Sequence, residues 1–164
     1  MSVYILDSNF FIQAHRVYYP LDVVASFWNI VRDLAEQGVI ISIDKVKNEL
    51  YKNEDDLKAW CESNLPTSFF KESSGVYPSY SDIVGWAVSR SDHYLQKAID
   101  EFLDADEADA WLASYALANN GTIVTHEVSN PAQKNKIKIP EACNQFGVPF
   151  INTIEMFRQL GIKF

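Results

Sequence analysis

The sequence has few cysteines, no excess of basic residues and no long hydrophobic run, and each absence excludes a class of protein. Cys61 and Cys143 stand far apart and match no disulfide framework or metal-binding spacing. The 14 basic and 22 acidic side chains give a formal net charge of -8, which argues against broad electrostatic capture of nucleic acid. No apolar run approaches the roughly 20 residues of a membrane span, and the start lacks the basic leader of a signal peptide. We therefore expect a soluble, cytoplasmic protein without membrane association.

The chain has 164 residues, of which 48% are hydrophobic, and this is enough for one substantial core. It contains no internal repeat and no low-complexity tract. We therefore predict a single domain over residues 1–164.

Segments typical of strands alternate with segments of helical periodicity. Strands are predicted at residues 3–6, 39–43, 67–70, 121–125 and 148–151. Helices are predicted at residues 21–37, 44–52, 54–64, within 81–103, and at 106–119, 141–146 and 153–160. The segment KESSGVYPSYSD, residues 71–82, is interpreted as the longest loop. The alternation predicts an α/β fold, in which a parallel sheet of four to five strands lies between two layers of helices.

Acidic residues follow the strands at the edge where a parallel sheet binds its ligands. Asp7 comes directly after the first strand, and Glu127 lies two residues after the strand GTIVT. Glu49 lies about two turns into the helix that follows the second strand, whereas Asp106 and Asp109 share a face of a later helix. Carboxylates that meet at one edge repel each other and raise each other's pKa unless a cation lies between them. One or two hard cations such as Mg²⁺ or Mn²⁺ suit such a site and support phosphodiester hydrolysis.

In their order and spacing, four segments resemble the acidic motifs of the PIN-domain ribonucleases. These segments are YILDSN, an isolated Glu in KNEL, EADAWLASYA and IVTHE. By position Asp7, Glu49 and Asp109 match the first three acidic residues of that family, whereas Glu127 stands where the family usually has Asp. The resemblance extends over the whole chain and points to the PIN-like subfamily that includes VapC-type toxins.

The resemblance implies a PIN-like fold and a metal-dependent endoribonuclease that leaves 5'-phosphate and 3'-hydroxyl ends. It implies that Asp7, Glu49 and Asp109 hold one or two Mg²⁺ or Mn²⁺ ions, with Glu127 completing the site directly or through water. It also implies an RNA substrate and a toxin–antitoxin pair, in which an antitoxin protein blocks the pocket. A homodimer is compatible with this picture.

Further residues are candidates for supporting roles. Asn9 and Thr125 match family positions whose polar side chains support the site, and Asp106 is a reserve ligand. The basic loop NPAQKNKIKIP supplies three candidates for phosphate binding, although a solvated turn is the commoner meaning of such a run: Lys134, Lys136 and Lys138.

Each candidate also has a purely structural interpretation. Asp7 alone is equally well explained as a helix cap, Glu49 as an exposed helix residue and Asp109 as an acid that favours a helix N-terminus. For His126 a local hydrogen bond is favoured over zinc binding. Ordinary packing is favoured over stacking on nucleobases for four aromatic residues: Tyr18, Tyr19, Trp86 and Tyr94.

Two other functions remain open. A phosphatase of the haloacid-dehalogenase type also keeps an Asp after its first strand, but it needs a second Asp where Asn9 stands. A catalytically weak or inactive PIN-like module that binds RNA or protein is suggested by Glu127 and by the net charge of -8.

Overall fold

The computed structural model describes residues 3–164, and a five-stranded sheet lies at its centre. The strands are β1 (Tyr4–Leu6), β2 (Ile40–Ile43), β3 (Phe70–Lys71), β4 (Thr122–Val124) and β5 (Phe150–Ile151). They lie in the order β3-β2-β1-β4-β5, and every neighbouring pair is parallel. From β1 the chain adds β2 and β3 on one side and then β4 and β5 on the other, so the strand order reverses between β1 and β4. Open α/β sheets bind ligands beyond the carboxyl ends of the strands at such a point.

The two central strands are short, apolar and buried. Ile5 and Ile123 pair directly across β1 and β4, and neither side chain is exposed to solvent. Gly121 precedes β4, and a Cβ atom at this position would lie 2.5 Å from Cδ1 of Ile5. The absence of a side chain at Gly121 therefore lets the start of β4 lie close to Ile5 of β1.

Helices connect the strands and flank the sheet. They are α1 (Ser8–Gln13), α2 (Ala25–Glu36), α3 (Asp44–Leu50), α4 (Asp56–Asn64), α5 (Tyr77–Ser89), α6 (Gln96–Phe102), α7 (Asp109–Asn119), α8 (Ile139–Phe146) and α9 (Thr153–Leu160). A π-helix, Ala14–Tyr18, continues α1, and a 3-10 turn, Ser74–Val76, precedes α5. The predicted three-layer α/β/α architecture around a parallel sheet is confirmed.

The prediction of a long loop at residues 71–82 is wrong, because most of this segment is helical. Both the 3-10 turn and the start of α5 lie within it. Pro78 lies in the first turn of α5, where its fixed φ and missing N–H favour the start of a helix. Ile83 and Trp86 then bury one face of α5 against the core. The Ser, Gly and Pro residues indicated a loop, but the buried face that follows them determines the structure.

Helix α7 begins later than predicted. Its first residue is Asp109, and Asp106 lies in the preceding turn, where its backbone N–H donates to Oδ1 of Asp104 at 2.9 Å. The helix ends at Asn119 as predicted, because Asn120 adopts the left-handed conformation with a φ of 54°.

Within residues 3–164, no helix has the length and apolar character needed to cross a bilayer. Both cysteines, Cys61 and Cys143, are free and buried, and burial raises the pKa of each thiol to about 12. Neither thiol is therefore a reactive nucleophile near neutral pH.

Candidate active site

A cavity of about 340 Å³ opens at the carboxyl edge of the sheet, beside the ends of β1 and β4. We call it the acidic cavity, because six acidic side chains line it: Asp7, Glu49, Glu101, Glu107, Asp109 and Glu127. Of its lining residues within the described part of the chain, Lys136 alone is basic. Four carboxylates that are distant in sequence, and that were predicted to meet at this edge, therefore line one cavity.

Asp7 lies one residue beyond β1 and is 3% exposed. Its backbone N–H donates to the carbonyl of Val124 at 3.0 Å, so the pairing of β1 with β4 continues to this residue. Its carboxylate accepts the N–H of Ser8 at 2.7 Å, which caps α1, and the hydroxyl of Thr125 at 2.9 Å. Burial raises the pKa of Asp7 to about 6, and the charge of Glu127 adds to the rise. Asp7 thus caps a helix and also lines the cavity as a carboxyl group whose ionised form is disfavoured by burial and by nearby negative charge.

Asn9 and Thr125, the predicted supporting residues, form a hydrogen-bonded bridge beside Asp7. Nδ2 of Asn9 donates to Oγ1 of Thr125 at 3.3 Å, and Oδ1 of Asn9 accepts the N–H of His126 at 3.1 Å. Oγ1 of Thr125 also accepts the N–H of Glu127 at 3.1 Å. The bridge joins the end of β1 to the loop after β4 and fixes the orientation of Asp7. Because Asn9 carries no carboxyl group, the acid–base residue of a haloacid-dehalogenase-like phosphatase is missing here.

Glu49 reaches the cavity from α3, and Asp109 reaches it as the first residue of α7. Oε1 of Glu49 accepts the N–H of Ala108 at 3.1 Å, which ties α3 to the start of α7. Burial raises the pKa of Asp109 well above its ordinary value, and the charge of Asp7 raises it further. The ammonium group of Lys136 opposes this rise. Asp109 is therefore a carboxyl group that a nearby cation would stabilise in its ionised form.

Glu127 lies in the loop after β4, and both of its carboxylate oxygens are engaged. Oε2 accepts the N–H of Ile139, the first residue of α8, at 2.8 Å. Oε1 pairs with Nζ of Lys136 at 3.4 Å. Glu127 therefore closes the loop against α8 in addition to lining the cavity.

Of the three lysines predicted to hold phosphates, only Lys136 lines the acidic cavity. The net pKa of Lys136 is raised. Burial alone would lower it, but the negative charges of Glu127 and of other carboxylates stabilise the ammonium form by more. Lys134 is exposed, and Nζ of Lys138 lies 3.5 Å from a backbone carbonyl of the loop.

The reserve ligand Asp106 does not line the acidic cavity; it lies exposed in the turn before α7. Glu107, the next residue, and Glu101 of α6 line the cavity instead. Although Glu107 is largely exposed, partial desolvation of its carboxyl group raises its pKa, and the charge of Glu49 adds to the rise. Sequence reasoning missed Glu107 because it assumed that the helix already began at residue 106, whereas α7 begins at Asp109. It missed Glu101 because this residue lies on α6, outside the acidic motif segments.

Glu141 is another residue that sequence reasoning missed. It is buried in the first turn of α8, and its Oε1 accepts the hydroxyl of Ser129 at 2.6 Å and the N–H of Asn130 at 2.8 Å. These bonds hold the loop that carries Glu127. The sequence signal was an acid directly after Pro140, since this combination is typical of the first turn of a helix.

The acidic cavity offers oxygen donors, which is the chemistry that Mg²⁺ and Mn²⁺ prefer. A cation would also offset the burial and the repulsion that raise the pKa values of Asp7 and Asp109. Within residues 3–164, however, no group of three or more His, Cys, Asp or Glu side chains is already arranged to hold a metal ion. Glu49 and Glu127 are instead bonded to backbone N–H groups. The donor set therefore fits such a cation in its chemistry, although its members are not pre-assembled around one position.

The family model described as "Domain of unknown function (DUF4411)" matches residues 4–164, and the chain belongs to this family. Curated proteins give no match. Among solved structures, the chain is similar to one described as "Crystal structure of VapBC2 from Rickettsia felis bound to a DNA fragment from their promoter". The sequences are 16% identical, the alignment covers 92% of this chain and 98% of the other, and the TM-score is 0.50. At this identity the similarity shows the fold alone, which agrees with the predicted three-layer α/β/α architecture.

Proposed function

We propose that this member of the DUF4411 family is a metal-dependent endoribonuclease of the PIN type. The observation that carries the proposal is the convergence of Asp7, Glu49, Asp109 and Glu127 on one cavity at the carboxyl edge of a parallel sheet. A fold that buries mutually repelling carboxylates loses stability, and such arrangements cluster at functional sites. The resemblance of the four acidic segments to PIN-domain motifs supports the same conclusion.

In this proposal Asp7, Glu49 and Asp109 hold one or two Mg²⁺ or Mn²⁺ ions, and Glu127 completes the site directly or through water. Such ions, when bound, activate water and stabilise the leaving oxygen of a phosphodiester. The side chains around them have separate tasks. Thr125 orients the carboxylate of Asp7 through its hydroxyl group, which donates at 2.9 Å.

Lys136 provides the local positive charge that a strand of RNA needs on a protein with a net charge of -8. Its ammonium group is a compact point charge suited to phosphate oxygens. In the proposed complex a phosphate takes over the contact that Nζ now makes with Glu127. This exchange brings the substrate to the cavity without a broad basic surface.

The test is incubation of the purified protein with labelled tRNA and mRNA in the presence of Mn²⁺. We expect wild type to cut RNA to products with 5'-phosphate and 3'-hydroxyl ends, and Asp7→Asn and Asp109→Asn to lose this activity. Asp106→Asn is the matched control, because Asp106 is exposed outside the cavity. Equal cutting by wild type and by both cavity variants would identify a contaminating nuclease and remove the site assignment.

The proposed biological setting is a toxin–antitoxin pair, in which this chain is the toxin and an antitoxin protein covers the acidic cavity. The support is the similarity of fold to a protein described as VapBC2, together with the motif resemblance to VapC-type toxins. A homodimer is part of this proposal. Expression of wild type in a bacterial host should arrest growth, and Asp109→Asn should not; arrest by both proteins would point to a cause other than catalysis.

A non-catalytic module that binds RNA or protein is the second candidate. Two observations favour it: both oxygens of Glu127 are already engaged, and the described residues contain no assembled metal-binding group. Calorimetric titration with Mn²⁺ separates the two candidates. Saturable binding of Mn²⁺ to wild type that is abolished in Asp109→Asn supports the nuclease. If Mn²⁺ does not bind to wild type, the non-catalytic module is the better interpretation.

A further inference from the structure

A second cavity, of about 800 Å³, lies beside the acidic cavity at the carboxyl ends of β4 and β5, and Glu127 lines both. We propose that this second cavity binds an unpaired nucleobase of the strand whose phosphodiester occupies the acidic cavity, with the ring of Tyr18 as its stacking surface. The inference rests on the proposed nuclease function and adds a base-binding subsite to it.

Tyr18 differs from the other aromatic residues considered for stacking. Tyr19 packs face to face on Phe27, with ring centroids 4.2 Å apart and an interplanar angle of 7°, and Trp86 and Tyr94 are buried. Tyr18 is 57% exposed and lines the second cavity. Ordinary packing thus explains the first three residues, whereas Tyr18 stays largely exposed even though its ring lies beside that of His126.

The backbone around Tyr18 fixes its position. Tyr18 is the last residue of the π-helix Ala14–Tyr18, and the N–H of Tyr19 donates to the carbonyl of Ala14 at 2.7 Å. Nε1 of Trp28 donates to the carbonyl of Tyr19, also at 2.7 Å. Single turns of π-helix occur frequently at functional sites, where they change the direction of a side chain. Tyr18 is therefore held at the cavity by neighbours that are themselves part of the core.

His126 lines the second cavity beside Tyr18. Its ring lies 6.1 Å from that of Tyr18, at an interplanar angle of 23°. Nε2 of His126 shares a hydrogen bond of 2.9 Å with Oγ1 of Thr153, and its backbone N–H donates to Asn9, which lines the acidic cavity. The same residue thus connects the aromatic wall of the second cavity to the bridge that orients Asp7.

The lining of the second cavity suits a nucleobase better than a phosphate or an aliphatic group. Val128, 73% exposed, and Ile154, 44% exposed, provide apolar surface. Glu127 and Glu155 place carboxylates on the same lining, and their negative charge would repel a phosphate. Glu127 is engaged by Ile139 and Lys136, whereas Glu155 pairs with Arg158 at 3.5 Å near the surface and can accept a hydrogen bond from an N–H group. A nucleobase combines flat apolar faces with such polar edges. Adenine and cytosine, whose exocyclic amine carries two N–H donors, should therefore bind better than uracil, whose one donor is N3–H.

The test uses fluorescein-labelled hexanucleotides of adenine, cytosine or uracil RNA, with binding measured by fluorescence anisotropy in EDTA so that no cleavage occurs. We expect Tyr18→Ala to weaken binding of the adenine and cytosine probes roughly 10-fold, as expected for the loss of one stacked base. Tyr18→Phe keeps the ring and should restore most of the affinity. Tyr77→Ala is the matched control, because Tyr77 is 64% exposed and lines neither cavity.

Equal affinity of wild type and Tyr18→Ala would overturn the inference, as would equal losses in Tyr18→Ala and Tyr77→Ala. If Tyr18→Ala changes the oligomeric state in sedimentation but leaves the affinity for the probes unchanged, the base-binding inference is overturned. Tyr18 would then contact a second copy of the chain. Failure of the subsite and failure of the proposed function give different results. If only the subsite is wrong, Mn²⁺-dependent cleavage still requires Asp109 but ignores Tyr18; if only catalysis is wrong, the Tyr18 effect on binding persists without cleavage.

Discussion

Replacement of Asp7 by Asn removes a carboxyl group that the fold buries beside like charges, so the metal-free variant should gain stability relative to wild type as the pH rises. Burial holds the pKa of Asp7 at about 6, against 3.8 for an unperturbed carboxyl. The folded state therefore binds this proton more tightly than the unfolded chain does. The stability that Asp7 contributes is fully present below pH 3.8 and is lost as the pH rises through about 6. An Asn at this position undergoes no such loss.

The difference between 3.8 and about 6 corresponds to about 3 kcal/mol of folding free energy, at about 1.4 kcal/mol per pKa unit. The substitution also disturbs the hydrogen bonds with Ser8 and Thr125, which costs about 1–3 kcal/mol at every pH. We therefore expect Asp7→Asn to be less stable than wild type near pH 4 and to equal or exceed it near pH 7. For a domain of this size, the relative change corresponds to about 6–12 °C in Tm.

The assay is urea or thermal unfolding in EDTA at a series of pH values between about 4 and 8. Asp106→Asn is the control, because its side chain is exposed outside the acidic cavity, and its curve should run parallel to that of wild type. Parallel curves for wild type and Asp7→Asn would refute the argument from burial and repulsion. If Asp7→Asn is instead less stable than wild type by the same large amount at every pH, helix capping is the role of this residue.

Three further results follow from the same geometry. At a Mn²⁺ concentration of about 100 times Kd, wild type should gain about 2.7 kcal/mol in unfolding free energy and Asp109→Asn far less; equal gains in a thermal-shift assay would place the cation elsewhere. Lys136→Gln should weaken RNA binding and reduce the slope of log K against log salt by about one, measured by anisotropy; an unchanged slope would exclude a phosphate contact. In urea unfolding, Glu127→Ala should lower the free energy of unfolding by about 1–2 kcal/mol, because it removes the acceptor for the N–H of Ile139. Glu127→Gln should lower it much less, because Gln keeps an acceptor. Equal losses in the two variants would show that this contact contributes nothing.

The parallel sheet and the meeting of four carboxylates were predictable because each depends on short patterns and one topological rule. Asp7 directly follows a buried strand, and so does the segment that leads to Glu127. Parallel strands bring such positions to the same edge. Glu49 followed from the helical stripe of Val46 and Leu50, which are both buried as the spacing indicates.

The remaining features of the site depend on long-range packing that no local pattern encodes. The run before α7, residues 104–108, has acids at three of its five positions, so the exact start of the helix decides that Glu107 rather than Asp106 lines the cavity. Glu101 and Glu141 contribute through segments far from the recognised motifs. The exposure of Tyr18 depends on a π-helix, which has no simple sequence signature.

Glu127 departs from the Asp that the motif resemblance leads one to expect, and its contacts give a physical reason. Its carboxylate reaches the N–H of Ile139 at 2.8 Å and Nζ of Lys136 at 3.4 Å, so it joins the loop after β4 to α8. An Asp side chain is shorter by one methylene, about 1.5 Å, and from the same backbone position it would lose the contact with α8. The longer arm keeps a negative charge at the cavity while it closes the loop. A cation that enters the cavity must therefore compete with a helix N-terminus and an ammonium group for this carboxylate. Metal affinity should thus depend on the loop as well as on the ligands themselves.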